Sequence, residues 1–185
     1  MAYAGSGFFR NLRITRLEEE AVRPILDDPW AELKADGVIR HWRVSQPFEA
    51  GYASRKVPKT VRRGSDDWQE VTTGERGFVN LSALYPRDST ANVVFARTAV
   101  RSEKRERRLC RVTYTDRFRM WVNGKEVFDG PPRGWFDPGR EKYNWSRLMP
   151  YTFDVELPLR QGDNEILVRA EATEKFGWAF WVRLR

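Results

Sequence analysis

Histidine and cysteine are almost missing from this 185-residue chain, which has one of each, His41 and Cys110. A lone cysteine excludes a disulfide framework within the monomer and any cysteine-based metal site. One histidine and one distant cysteine make no nucleophile–base triad by themselves. Nothing resembles His-Glu-x-x-His, a Gly-rich phosphate loop, Gly-x-Ser-x-Gly or an EF-hand. Long apolar runs are also lacking, and none approaches the ~18 residues that would span a bilayer. The start, MAYAGS, carries neither the basic n-region nor the apolar h-region of a secretory signal. Within 38–44 (VIRHWRV), alternation puts His41 on the face opposite Trp42, which suits a structural or surface residue. Cys110 alternates with Val112 and Tyr114 and is expected to be a small buried hydrophobe.

What is abundant is aromatic and charged. Aromatics make up 14% of the chain, with 8 Trp, and apolar residues 41%, so the composition is globular and the length suits one domain. A net charge of +7 would favour anionic partners. The 33 basic residues are interleaved with 26 acidic ones, however, and no helix, zinc or RNA-sheet motif points to nucleic acid. The densest run, 101–108 (RSEKRERR), reads as a solvated connection between two strands. A glycosidase pair could be drawn from acids such as Asp66, Asp67, Asp137 or Asp154, but no motif supports one, so the chain is expected to be non-catalytic.

From residue 37 on, strand signals recur at 38–44, 68–72, 77–81, 93–100, 109–115, 118–122, 126–128, 151–157, 164–171 and 177–184. Nearly all alternate. Phe118, Met120 and Val122 oppose Arg119 and Trp121; Ile166, Val168 and Ala170 oppose Leu167 and Arg169. Period-two alternation predicts antiparallel sheets buried on one face, hence an all-β sandwich. Only 81–85 (LSALY) suggests a helical turn.

Two strand-like runs in 115–128 (TDRFRMWVNGKEVF) meet at Asn123-Gly124, the dipeptide suited to a two-residue hairpin. Some thirty residues on, 157–169 (LPLRQGDNEILVR) supplies a strand, a turn and a second strand. Together these motifs resemble the galactose-binding-like jelly roll of carbohydrate-binding modules and of family-2 glycoside hydrolase sugar-binding domains. The resemblance implies a non-catalytic β-sandwich over 37–185, a bacterial sugar-processing parent with a neighbouring catalytic or lectin-like domain, and an extracytoplasmic or secreted setting. Some such modules hold a structural Ca²⁺; no ligand string here matches that site, so calcium stays open and unassigned. Residues 7–14 (GFFRNLRI) are similar to the last strand of a laminin-G-like, 3-keto-disaccharide hydrolase-type domain. Residues 1–36 are then an N-terminal strand and linker, or else that strand adds to an edge of the same sandwich.

Two places suit a sugar, the second of them, a cationic face, an acidic one. The first is the long connection 130–150, where Trp135 with Asp137, and Tyr143 with Asn144 and Trp145, combine ring faces with hydroxyl-binding groups. These rings either form a platform or fold back to plug the sandwich end. The second is a face carrying Trp121, Trp181, Arg169 and Arg183, provided their strands are neighbours. Alternatively that face is covered by the N-terminal segment or an adjoining domain, with Trp121 and Trp181 as anchors. The expected function is a carbohydrate-binding accessory module; the rivals are an interdomain scaffold with no sugar ligand and a basic nucleic-acid-binding domain.

Overall fold

The computed structural model describes residues 36–49, 57, 61, 67–74, 77–85, 90–130, 153–173 and 177–185, all within one compact unit, Leu33–Arg185. The expected strand in 7–14 and the aromatic connection lie outside the described residues.

Eleven strands and one short helix are present among these residues: β1 His41–Val44, β2 Phe48–Glu49, β3 Gln69–Thr72, β4 Val79–Asn80, α1 Leu81–Leu84, β5 Ala91–Ser102, β6 Glu106–Tyr114, β7 Arg117–Val122, β8 Lys125–Asp129, β9 Phe153–Leu159, β10 Gly162–Glu171 and β11 Ala179–Leu184. They form two antiparallel sheets. One runs β3-β1-β5-β10-β7-β8, with β2 also paired to β5; the other runs β4-β11-β6-β9. The chain is therefore an antiparallel β-sandwich, consistent with a galactose-binding-like jelly roll. None of its described helices is long and apolar enough to cross a membrane.

The alternation read from sequence is what closes the sandwich. Val94 and Ala96 of β5, Phe118, Met120 and Val122 of β7, and Ile166, Val168 and Ala170 of β10 face inward from the larger sheet. Cys110, Val112 and Tyr114 of β6, Val155, Leu157 and Leu159 of β9, and Phe180 and Val182 of β11 meet them from the smaller one. Burial of this layer, worth roughly 25 cal/mol per Å² of apolar area removed from water, is the main term holding the sheets together. In that layer Cys110 has no exposure, and burial pushes its thiol up to about 12. We expect no reaction with a water-soluble disulfide reagent at pH 8 in the native protein, and one reactive thiol per chain in guanidinium. Fast native labelling would place Cys110 outside the core.

The run 101–108 departs from expectation. It is less a connection than two strand ends, because β5 continues to Ser102 and β6 starts at Glu106, in the other sheet. Only three residues cross between layers. Ser102 is buried at this corner, with its single hydroxyl hydrogen within reach of both the Lys104 carbonyl (2.9 Å) and the Glu106 carboxylate (2.7 Å). Pro158 lies within β9, where it is tolerated because β9 is an edge strand bonded on one side only.

The larger sheet is buried on its second face as well. Val93, Phe95, Trp121 and Leu167 point away from the main core and pack with Val61 and Trp68, with Phe48 and Val57 at the margin. This is why 93–96 (VVFA) is continuously apolar instead of alternating. Trp121 is thus covered, as one reading anticipated, and among the described residues Val61 and Trp68, which lie between β2 and β3 in the chain, pack in the same cluster.

A candidate binding cleft between two splayed strands

The two sequence motifs meet in space. Asn123 (φ 50°) and Gly124 (φ 79°) form the tight β7–β8 turn, and the Asn123 side chain reaches into the β9–β10 turn. There Asn164, with no exposure, accepts from the Arg160 backbone N–H (2.9 Å) and from Asn123 Nδ2 (2.8 Å). It also donates to the carbonyls of Arg160 (2.8 Å) and Gly162 (3.0 Å). Asn123 in turn accepts from the Glu165 N–H (3.1 Å). This lock fixes the end of β10, which forms one wall of the cleft.

The other wall is β1. Strands β1 and β5 pair only at Arg43–Arg97 and Val44–Ala96, whereas β5 stays paired with β10 as far as Ser102–Gly162. Towards its start β1 follows β3 and leaves β5. The wedge that opens is a cleft of about 600 Å³. Register orders its lining on the outward face. One row across the sheet is Glu70, Arg43 and Arg97; the next is Thr72, His41, Ala99 and Glu165. The small, exposed Ala99 is the floor, His41 and Glu165 are the sides, and the two arginines close the narrow end. Asp163 and Arg160 complete the open end, and the exposed His41 ring lies with Nδ1 3.2 Å from Thr72 Oγ1.

Arg43 and Arg97 are cross-strand partners of like charge. Burial lowers the Arg97 pKa, the charge of Arg43 lowers it further, and Glu165 opposes both. The Arg97 guanidinium lies 4.3 Å above the Trp68 ring, a cation–π contact that holds it in place. The combination of cationic, anionic and neutral polar groups around an indentation of this size suits a small polyhydroxylated ligand.

Of the residues singled out from sequence, Trp135, Asp137, Tyr143, Asn144 and Trp145 lie outside the described residues. The expected Trp121, Trp181, Arg169 and Arg183 face does not form. Trp121 and Arg169 belong to the larger sheet, Trp181 and Arg183 to the smaller. Trp181 has no exposure, and Arg183 donates from Nε to the Asp36 carbonyl at 3.0 Å. Arg169 is buried against Glu171 at 2.8 Å. Sequence reading passed over Arg43, Arg97, Glu70 and Glu165; the one available signal was a charged residue ending the outward apolar series Val93, Phe95, Arg97. No cluster of three or more His, Cys, Asp or Glu that could hold a metal ion occurs among the described residues.

No family model matches the sequence, and no curated protein matches it. Among solved structures the chain is similar to a glycosyl hydrolase family 2 member from Bacteroides cellulosilyticus DSM 14838, at 13% identity and a TM-score of 0.46 over 78% of this chain and 20% of that one. It is also similar to a family 35 carbohydrate binding module from an environmental isolate, at 14% identity and a TM-score of 0.38 over 51% and 66% of the two chains. A beta-glucosidase from Kluyveromyces marxianus, in complex with glucose, gives 12% identity and a TM-score of 0.49 over 78% and 16%. The chain thus spans only a fifth or less of the two glycosidases' lengths.

Proposed function

We propose that this chain is a non-catalytic carbohydrate-binding accessory module of a sugar-processing protein, with its ligand in the cleft between β1 and β5. The observation that carries this reading is the cleft itself. Side chains of both charge signs, an imidazole and a threonine hydroxyl converge on about 600 Å³ with a small residue for a floor. That size lies within the range of small-ligand sites, roughly 300–1,000 Å³. Sugars offer many hydroxyls, each able to donate and accept, so a mixed set of Arg, Glu, Asp and His satisfies more of them than a single-sign patch would.

The scaffold alternative calls for an apolar face. Among the described residues Leu109 is the sole large hydrophobe that is exposed. The nucleic-acid alternative calls for unneutralised positive charge, whereas Arg107 pairs with Glu156 (2.8 Å), Arg111 with Asp154 (3.1 Å) and Arg108 with Glu106.

Calorimetric titration with a panel of neutral and acidic saccharides tests the proposal. Saturable binding is expected, and Ala99→Trp, which fills the floor from an exposed position, is expected to abolish it with an unchanged melting temperature. Trp135→Ala and Trp145→Ala probe the aromatic connection in parallel. Binding that survives Ala99→Trp but is lost in those variants would move the site from the cleft to the connection.

A further inference from the structure

Resting on that cleft reading, we propose that the ligand is an acidic sugar whose carboxylate is held between Arg43 and Arg97 at the narrow end. Two like charges directly opposite each other on neighbouring strands destabilise a sheet unless something compensates them. Neither guanidinium forms an ion pair with a described residue. Glu70 is the register partner of Arg43, and Glu165 lies one row further towards the open end. Both acids line the same cleft. Neither acid is bonded to a guanidinium among the described residues, so both arginines can meet an incoming anion.

The arginine pair suits a carboxylate. Arg97 is pre-oriented by its stack on Trp68 (4.3 Å), so little rotamer freedom is lost on binding. A guanidinium fork matches the two oxygens of a carboxylate, and charge-assisted bonds are the stronger class. With the anion at the arginines, the ring lies over Ala99, and its hydroxyls meet Glu165 and Asp163 as acceptors and His41 at the side. A neutral sugar would bring no charge to the arginine pair. Sulfated sugars carry the same charge, with a tetrahedral group.

The test is a titration of the full chain with methyl β-D-glucuronide against methyl β-D-glucoside, the corresponding galacto pair, and methyl β-D-galactoside 6-sulfate. The uronides are expected to bind at least about tenfold tighter than their neutral counterparts, the ratio that one charge-assisted contact supplies. R43Q is expected to bring each pair level with no change in melting temperature. R97Q should do the same, and if it fails to fold because Trp68 loses its partner, R43Q decides alone. Equal affinity of the wild type for uronide and neutral glycoside would overturn the acidic-sugar assignment and leave the cleft reading standing. Tighter binding of the 6-sulfate would overturn the carboxylate. No binding of any of the five would sink both readings.

Discussion

Phe118→Ala is expected to lower the free energy of unfolding by about 4 kcal/mol, the upper part of the range for removing a fully buried ring. Phe118 has no exposure and sits where the two sheets meet. Its ring stacks on Tyr114 of the smaller sheet (5.2 Å, 13° between planes) and contacts Phe180 (5.7 Å) from that side and Phe128 (6.3 Å) from its own. Tyr114 continues the stack to Phe153 (5.5 Å). Deleting the ring removes its transfer energy, leaves a cavity that stiff pleated strands fill poorly, and breaks aromatic pairs worth roughly 0.5–1.5 kcal/mol each. A domain of this size has only about 5–15 kcal/mol in hand, so the loss should be plain. Urea denaturation measures it: the midpoint falls and the slope stays constant. A loss under about 1.5 kcal/mol would mean that the aromatic column is not the centre of the core.

Asn164→Ala is expected to cost about 2–4 kcal/mol, although it removes only a few heavy atoms. The side chain makes four hydrogen bonds and has no exposure. Each contributes about 0.5–1.5 kcal/mol net, and a buried group left without its partner costs its full desolvation. The consequence is also local. With Asn164 gone, Asn123 loses one anchor of the contact joining the β7–β8 turn to the β9–β10 turn. Amide exchange should accelerate more at Asn123, whose N–H donates to the Glu165 carbonyl (2.9 Å), and at Glu165, whose N–H donates to Asn123 Oδ1 (3.1 Å), than at Val112 in the core of the smaller sheet. Uniform acceleration would show that the variant opens only by global unfolding, with no local role for the lock.

That lock gives a physical reason for two motifs to occur together in one sequence. Asn123-Gly124 is legible as a turn because positive φ at consecutive residues is a local demand. Three of the four Asn164 bonds are local, to Arg160 and Gly162, but the fourth comes from Asn123, about forty residues away, and no local pattern announces it. By contrast, period alone puts Phe118, Met120 and Val122 on one face, and that face is the core. The buried stretch 93–96 reads as a strand, but the partners of its second apolar face, Val61 and Trp68, come from a part of the chain that no local period links to it. Trp121 and Trp181 looked alike in sequence, each outward on an alternating strand. They diverge because the strands that carry them join different sheets.

Most strand positions, the all-β class and the inward face of each alternating strand follow from neighbours two residues apart, and the chain alone determined them. Which strands lie side by side, and where two of them part, depends on pairings between residues far apart in the chain, such as Arg43 with Arg97, that no local period encodes. The opening between β1 and β5, and the facing of Arg43 by Arg97, were decided only when the whole sheet closed, because register is set by the packing of both layers at once.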